Sequence, residues 1–272
     1  MLKTRLASAA IMVPLVVGGV LYLPDSGVAL ILALVMGVGL WEWGGMIPLE
    51  SGPARIAYPA GIGVLMALVW FAPLDRVIVP LLLLAFVWWL AVLYWLVRPD
   101  FGVQSTRAVR ALKGMAGVLV MLPCWASIVT LHARADHGPL ITLALLVIVW
   151  LADSGAYFAG KRWGHTRLAP VISPGKTWEG VLGGIITSAI VALLAGFWYS
   201  QSLEWTLTLV PVVLLAVMFS IVGDLLESLM KRQVGLKDSG HIIPGHGGVL
   251  DRIDSLTAAA PMFLIGMLWF RL

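Results

Sequence analysis

Long blocks of apolar residues alternate with short polar connections along the chain. Nine blocks can be distinguished, and most approach the roughly 20 residues that a helix needs to cross the hydrocarbon core of a bilayer. They lie near residues 6–23, 28–47, 57–73, 77–97, 114–132, 139–160, 179–199, 205–227 and 255–270. Several contain proline, which a spanning helix tolerates where neighbouring helices satisfy the freed carbonyl groups. The pattern predicts an all-α, polytopic integral membrane protein with about nine transmembrane helices.

The composition agrees with a bilayer as the solvent. Hydrophobic residues make up 60% of the 272 residues and charged residues only 12%, with a mean hydropathy of +0.97. Soluble domains carry about 25% charged residues. The single cysteine, Cys124, excludes an intrachain disulfide. Lys3 and Arg5 precede the first block as in a signal peptide, but no small-residue cleavage site follows, so we expect an uncleaved first span.

The basic residues favour one orientation of these spans. With a cytoplasmic N-terminus, all but three of the 18 lysines and arginines fall in inner connections, as the positive-inside rule requires. The exceptions are Arg76, Arg134 and Arg271. The inner connections long enough to carry a function are 98–113, 161–180 and 228–254. The first is basic, and we expect it to lie against anionic headgroups.

Acidic residues at or inside predicted spans are costly and usually functional. Those that stand out are Glu42, Asp153, Asp224 and Glu227. Glu42 lies between two tryptophans, and we expect it at headgroup level. Asp153 faces either a polar cavity or the neighbouring basic pair at 161–162. Asp224 and Glu227 are three residues apart, so both carboxylates lie on one helix face and need a counter-cation, either a lysine or a divalent metal.

The connection 228–254 combines glycines, basic residues and further carboxylates. Its glycines would let backbone amides approach an anion, and its basic residues suit phosphates. The basic residues are Lys231, Arg232, Lys237 and Arg252. Asp251 and Asp254 are again three residues apart, and carboxylate oxygens are the ligands that Mg²⁺ prefers. The combination predicts a site for metal and phosphate.

Two alternatives apply to this connection. His241 and His246 suggest zinc, but no cysteine partner or H-E-x-x-H string accompanies them and the surrounding acids are hard oxygen donors. Polar contacts to phosphate are the preferred interpretation of both histidines. A solvated connector is the second alternative, and it leaves the glycines and the paired charges unexplained.

The connection 161–180 carries a second polar group. Ser173, Lys176 and Thr177 stand just before a predicted helix start, where free amides and the helix dipole favour a phosphate. Its G-K-T string is not a P-loop, because the spaced upstream glycine and a preceding strand are missing. We expect Asp153, at the end of the preceding span, to face the same cavity.

The run from Ser228 to Asp254 resembles the signature of the bacterial phosphatidate cytidylyltransferases (CDP-diacylglycerol synthases). That pattern is S-x-apolar-K-R, four residues, K-D, then an aliphatic residue, P-x-H-G-G and x-D-R-x-D, and every specified position is filled here. The strings A-D-S-G-A-Y-F-A-G and S-P-G-K-T-W-E-G extend the resemblance. Gly175 departs from it, since some members have a second lysine there. We treat 1–272 as a single membrane domain, with 1–140 as variable N-terminal spans and 141–272 as catalytic spans and loops.

The resemblance implies a nucleotidyltransferase that converts CTP and phosphatidic acid to CDP-diacylglycerol and pyrophosphate. It implies Mg²⁺, with a second monovalent or divalent cation as an option. The implied metal ligands are Asp224, Asp251, Glu227 and Asp254. The implied catalytic residues are Asp224, Asp251, Lys231, Arg232, Lys237 and Arg252. The implied substrate-binding residues are Ser173, Lys176, Thr177, Asp153, Ser228, Asp238, His246, Gly247 and Gly248.

The resemblance also implies a place in the cell. We expect a multi-pass protein of the bacterial inner (plasma) membrane whose active site faces the cytoplasm. Its expected partners are CTP, phosphatidic acid and membrane lipid, with no nucleic acid, and a homodimer is left open. An ion-coupled transporter using Asp153, Asp224 and Glu227 is the main rival, but no internal repeat accompanies it. A CDP-alcohol phosphotransferase is a second rival, and its D-G-x-x-A-R opening is missing because Asp153 is followed by serine and glycine.

Overall fold

The computed structural model describes residues 2–47, 49, 52–200 and 202–272, without the side chains of residues 2–7 and 74. Within these ranges the chain forms nine α-helices and one short hairpin. The helices are α1 (Leu2–Tyr22), α2 (Asp25–Met46), α3 (Gly52–Phe71), α4 (Leu74–Val97), α5 (Arg107–His132), α6 (Gly138–Trp163), α7 (Trp178–Ser200), α8 (Leu203–Gln233) and α9 (Leu250–Phe270). The antiparallel strands β1 (Arg167–Ala169) and β2 (Ser173–Thr177) form the hairpin.

The membrane character predicted from the sequence is confirmed. Eight helices, α2 to α9, are long and apolar enough to cross a membrane, and α1 contributes a shorter apolar stretch from Ser8 to Tyr22. The nine helices match the nine apolar blocks in order and position. The side chains of Lys3 and Arg5, used to orient the first span, lie outside the described residues.

The ends of several helices differ from the prediction. The helix α8 continues to Gln233 and α9 begins at Leu250, so the connection between them is 234–249 rather than 228–254. Residues 228–233 contain neither glycine nor proline, and most of them favour a helix. The helix stops where Gly235 adopts a positive φ of 73°. The N–H of Gly235 donates to the carbonyl of Arg232, and the N–H of Leu236 donates to the carbonyl of Lys231.

The predicted loops at 98–113 and 161–180 are also partly structured. Residues from Arg107 onward belong to α5, and Lys113 is only 3% exposed, so it does not lie on headgroups as expected. The second loop contains the β1–β2 hairpin, which pairs Arg167 with Thr177 and Ala169 with Ser173. The hairpin is an addition to the predicted all-α architecture.

The helices α5 and α9 are the most deeply enclosed spans, and α2 and α3 are tied to α5 by side-chain hydrogen bonds. Trp43 Nε1 donates to the carbonyl of Lys113 at 2.9 Å, and Tyr58 Oη donates to that of Gly114 at 2.8 Å. A side chain at Gly117 would collide with Tyr58. These bonds satisfy polar groups that lipid cannot satisfy.

The helices α6 and α7 pack through small residues. Cβ atoms added at Gly155, Gly183 or Gly184 would meet the facing helix, including backbone oxygens of Ala152 and Gly155. Close approach of this kind drives helix association in membranes, where lipid is as apolar as leucine. The α6–α7 pair is therefore a rigid support for Asp153 on α6 and for the hairpin between the two helices.

The connections 98–106, 164–177 and 234–249 meet on one end of the bundle, which we call the loop face. Gln233 donates to the carbonyls of Pro99 and Phe101, and Arg232 donates to that of Ile172. Ser8 of α1 donates to the carbonyl of Pro244 at 2.9 Å. At the other end, His132 contacts Asp25 at 2.7 Å. The alternation of sides predicted for nine spans agrees with these contacts.

Candidate active site

Polar side chains form a stripe along the last turns of α8, on the side that faces the hairpin and the start of α9. Their spacing of three or four residues places Asp224, Glu227, Ser228 and Lys231 on one helix face, as predicted for the two acids. Ser228 Oγ donates to Asp224 Oδ1 at 3.3 Å. Lys231 Nζ lies 3.2 Å from Glu227 Oε1, one turn earlier on the same helix. The stripe runs from two acids to a base along the helix, and Glu227 and Lys231 in it are buried.

The start of α9 meets this stripe through Asp251. Lys231 Nζ donates to Asp251 Oδ1 at 2.5 Å. The other oxygen, Oδ2, accepts from the backbone N–H of Ser239 at 2.9 Å, from the Ser239 hydroxyl at 3.0 Å and from the backbone N–H of Gly248 at 2.8 Å. Both oxygens of Asp251 therefore carry protein donors, and they fold the connection 234–249 back over the helix start.

Lys176 brings the hairpin into the same site. Its Nζ lies 2.5 Å from Asp224 Oδ2, and the two side chains are 25% and 26% exposed. Lys176 occupies the penultimate position of β2, and Thr177 Oγ1 next to it accepts the N–H of Gly180 at 3.1 Å, which caps the start of α7. The hairpin and the cap together aim Lys176 at α8.

Asp153, Arg252 and Asp254 complete the charged cluster. Asp153 on α6 is exposed, and it interacts electrostatically with Asp224, Lys176 and Arg252. Asp254 on α9 interacts with Asp224 and with Glu227. The structure thus brings acids from α6, α8 and α9 into one cluster, and of the two positions considered for Asp153 it has the one beside this cluster.

The cluster has more formal negative than positive charge. Five carboxylates (Asp153, Asp224, Glu227, Asp251 and Asp254) face three cations (Lys176, Lys231 and Arg252). Glu227 is 2% exposed, and Lys231, whose Nζ lies 3.2 Å from Glu227 Oε1, is shared with Asp251. Buried carboxylates are costly unless enough cations compensate them. Within the described part of the chain, no three acidic, histidine or cysteine side chains converge closely enough to hold a metal ion by themselves.

Asp153 and Asp224 lie well before the ends of α6 and α8, whereas Asp251, Arg252 and Asp254 lie at the start of α9. Asp153 is ten residues before the end of α6 at Trp163, and Asp224 is nine before the end of α8 at Gln233. At about 1.5 Å per residue, each acid is roughly 14 Å from its helix end. An apolar groove between α6 and α7, lined by Leu151, Phe158 and Ile186 among others, also includes Ser154, the neighbour of Asp153.

Several residues predicted to contact substrate lie farther out. Arg232 is exposed and donates to the backbone carbonyls of Ile172 and Leu236, which ties the end of α8 to the hairpin. Lys237 and Asp238 are exposed on the connection 234–249. Ser173 begins β2, and the Nδ1 atom of His246 is buried without a hydrogen-bond partner. Their roles in binding stay predictions.

The glycines of the predicted phosphate loop have a different environment from the one expected. Gly247 has a positive φ of 87°, and a side chain there would collide with Asp251. Gly248 is buried, and its N–H is bonded to Asp251. The amide of Gly248 therefore already has an acceptor from the protein.

Glu42 is the residue that sequence reasoning misplaced. It is 5% exposed rather than at headgroup level. Its Oε1 accepts the N–H of Val249 at 3.0 Å, and its Oε2 accepts the N–H of Leu250 at 2.8 Å and the hydroxyl of Ser239 at 3.0 Å. Ser239 was not among the predicted site residues at all. The W-E-W string gave no signal for this, because the partners are 197 to 208 residues away in the chain.

Comparison of the sequence with known proteins finds one family and several similar proteins. The model of the cytidylyltransferase family matches residues 3–270. The phosphatidate cytidylyltransferase of Pseudomonas aeruginosa is 44% identical over 271 residues, which cover 99% of this chain and 97% of the relative. That of Haemophilus influenzae is 34% identical over 280 residues, covering 97% of each chain. That of Synechocystis is 50% identical over 125 residues, which cover 46% of this chain.

These matches span almost the full length of the chain, including the helices that carry the charged cluster. The resemblance noted on the connection 228–254 is therefore confirmed over the whole protein. The chain is a polytopic membrane protein that belongs to the cytidylyltransferase family.

Proposed function

We propose that the protein transfers the cytidylate group of CTP to phosphatidic acid, giving CDP-diacylglycerol and pyrophosphate in phospholipid biosynthesis. A phosphate oxygen of phosphatidic acid forms a bond to the α-phosphorus of CTP, and the bond from that phosphorus to the leaving pyrophosphate breaks. The printed names of the full-length relatives support this assignment. CTP, phosphatidic acid and the surrounding membrane lipid are the proposed partners.

The charged cluster between α6, α8 and the start of α9 is the observation that carries the proposal. A lipid substrate and a polyanionic nucleotide must meet where a polar site opens to both lipid and water. The cluster lies below the loop face, beside the apolar groove between α6 and α7. Two polyanions approach each other only where cations neutralise them, and Lys176 and Arg252 are the partly or fully exposed cations of the cluster.

Mg²⁺ is the proposed cofactor, and the donor set fits it. Glu227 is buried and shares Lys231 with Asp251, and Asp254 interacts with both Glu227 and Asp224. Hard carboxylate oxygens in small number, completed by phosphate oxygens, are what Mg²⁺ takes. Bound there, Mg²⁺ would polarise phosphate oxygens and neutralise developing charge. Asp251 remains a proposed ligand, although its oxygens already hold four protein donors. A second cation belongs to the proposal as an option.

The side chains of the protein orient the substrates. Lys176 and Arg252 bind phosphate oxygens of one or both substrates, and Lys237 and His246 on the connection 234–249 contact the triphosphate. Lys231, held between Glu227 and Asp251, keeps the two helices in register. No protein nucleophile or general base is needed, because the attacking phosphate is ionised at neutral pH. Catalysis is then positioning and electrostatic stabilisation.

The proposal places the loop face in the cytoplasm of a bacterial inner membrane. The positive-inside distribution and the cytoplasmic location of CTP support this orientation. The relatives named above are bacterial. A homodimer would bury part of the apolar surface of the helices, and nucleic acid has no part in the proposal.

The test is transfer by the purified protein in detergent or liposomes. Labelled CTP, phosphatidic acid and Mg²⁺ should give labelled CDP-diacylglycerol, and chelation of Mg²⁺ should abolish its formation. Diacylglycerol in place of phosphatidic acid should give nothing, because it lacks the attacking phosphate. If a folded protein formed no labelled lipid, the result would contradict the proposal and favour an ion-coupled transporter that uses these acids.

A further inference from the structure

Glu42 joins the N-terminal part of the chain to the charged cluster. It lies on α2 and is 5% exposed, and its two oxygens accept the first backbone amides of α9 and the hydroxyl of Ser239. A carboxylate is favoured at a helix N-terminus because the amides there lack partners and the helix dipole is positive. Val249, at the N-cap position, makes no side-chain cap bond, and Glu42 accepts the N–H groups of Val249 and of Leu250, the first residue of α9.

Ser239 links Glu42 to Asp251. Its hydroxyl lies 3.0 Å from Glu42 Oε2 and 3.0 Å from Asp251 Oδ2. One hydroxyl has one proton, and the two carboxylates share it at equal distance. The backbone N–H groups of Ser239 and Gly248 bind Asp251, and those of Val249 and Leu250 bind Glu42. Two carboxylates therefore divide the amides that surround the start of α9.

Two glycines of this connection, Gly240 and Gly248, are explained by Glu42 as well. A Cβ atom at Gly240 would overlap the Glu42 carboxylate, and the three nearest atoms all belong to Glu42. A Cβ atom at Gly248 would overlap Ser239 Oγ and both oxygens of Glu42. Neither glycine has a positive φ, so close approach rather than backbone conformation requires them. The connection is shaped to receive this carboxylate.

We infer that Glu42 is a positioning residue for the transfer reaction: it fixes the connection 234–249 and the first turn of α9, and so sets Asp251 and Asp254 against α8. The inference rests on the proposed function. It also means that the amides at the start of α9 are occupied by protein carboxylates, so substrate phosphates are bound by side-chain cations and metal rather than by this backbone.

The test compares Glu42→Gln with wild type in the transfer assay. Glutamine keeps the length but turns an NH₂ group toward backbone donors and loses the charge. A displacement of about 1 Å costs on the order of 100-fold in rate, which is the fall expected in kcat. Loosening the connection should raise the KM for CTP about tenfold, the effect of losing one charged hydrogen bond, and leave the KM for phosphatidic acid unchanged.

The KM split distinguishes positioning from loss of folded protein, which lowers the rate but shifts neither KM. Ser239→Ala and Gly240→Ala disturb the same contacts from the other side and should raise the KM for CTP in the same direction. Glu204→Gln, an exposed acid at the opposite end of the bundle, and Gly61→Ala, with no atom within 4 Å of its added Cβ, are the matched controls and should behave as wild type.

Three outcomes are decisive. A raised KM for CTP in Glu42→Gln, or in the two partner variants if that protein does not fold, supports the inference. Unchanged KM values in folded Glu42→Gln, or in both partner variants, overturn it. Inactive wild-type protein refutes the proposed function instead, and trypsin cleavage after Lys237 still reports on Glu42: faster cleavage in Glu42→Gln supports its anchoring role, and equal cleavage rejects it.

Discussion

Two lysine–aspartate pairs hold the site together. Their N–O distances are both 2.5 Å, but they differ in burial and in the number of further hydrogen bonds. Lys231–Asp251 is enclosed, with side chains 10% and 7% exposed, and Asp251 accepts three further bonds from the connection 234–249. Lys176–Asp224 is open, with side chains 25% and 26% exposed, and among the described residues only Ser228 adds a hydrogen bond to Asp224. The first pair joins two spanning helices, and the second joins a helix to a surface hairpin.

The difference indicates that the two pairs have different tasks, although the sequence analysis assigned all four residues to one site. A buried ion pair with all its hydrogen bonds made does not readily exchange its partners for water or ions, because removing either partner leaves an unpaired charge in a low-dielectric environment. A partly exposed pair is exchanged at little cost, because water and ions replace either partner. We therefore expect Lys231–Asp251 to act mainly on the architecture of the site, and Lys176–Asp224 to open when a cation or a phosphate arrives.

Lys231→Met gives the largest expected change. It leaves Glu227 and Asp251 without their shared cation, and breaking a buried pair costs about 3–5 kcal/mol of stability. The thermal melting temperature in detergent should fall clearly, and transfer should be lost. Lys176→Met, which removes the same charge from the open pair, is the matched control and should shift stability by about 1 kcal/mol or less. Equal shifts for both variants would erase the distinction between the pairs.

Asp224→Asn should separate activity from stability. Asparagine has the same shape but lacks the charge that a metal or a lysine needs, so we expect transfer to fall about 10²–10³-fold, the loss typical of removing one electrostatic contributor. The melting temperature should stay near that of wild type. Asp75→Asn, an exposed acid at the other end of the bundle, serves as the control. Near-normal turnover would remove Asp224 from the proposed site.

Lys176→Met should act on substrate affinity. If the open pair releases Lys176 to a phosphate, its removal costs one charge-assisted contact and raises the KM for CTP or for phosphatidic acid about tenfold. Lys176→Arg keeps the charge and should recover most of the affinity. The substrate whose KM responds is the one that Lys176 contacts. Unchanged KM values for both substrates would show that Lys176 only anchors the hairpin.

The sequence predicted the membrane scaffold well because the physics is local. Runs of apolar residues about 20 long must cross the bilayer as helices, and the distribution of basic residues sorts their connections onto two sides. Asp224 and Glu227 share a helix face by spacing alone. Contacts such as Gln233 with Pro99, or Ser8 with Pro244, agree with the predicted alternation of sides.

The partners of each charge were beyond local reasoning. Glu42 lies between tryptophans, as an interfacial residue would, yet its carboxylate oxygens accept hydrogen bonds from backbone N–H groups more than 200 residues away. Ser239 has no pattern around it that marks a link between two carboxylates. Lys231, assigned to phosphate by its motif, is instead enclosed between two acids. Long-range packing decides these roles, and a single sequence carries no record of it.

The smallest expected effect is also the most direct comparison of the pairs. A double-mutant cycle on stability measures the coupling of each pair alone. For Lys176 and Asp224, with Met and Asn as replacements, we expect about 0.2–1 kcal/mol, as for other partly exposed pairs. Raising the salt from about 0.15 M to about 1 M shortens the screening length from about 8 Å to about 3 Å, which should remove most of this coupling. The same cycle on Lys231 and Asp251 should give a larger coupling that salt barely changes, because solvent ions do not reach it. A salt-sensitive coupling in the enclosed pair would mean that the connection 234–249 opens readily, and Asp251 would then be as free as Asp224 to bind a metal.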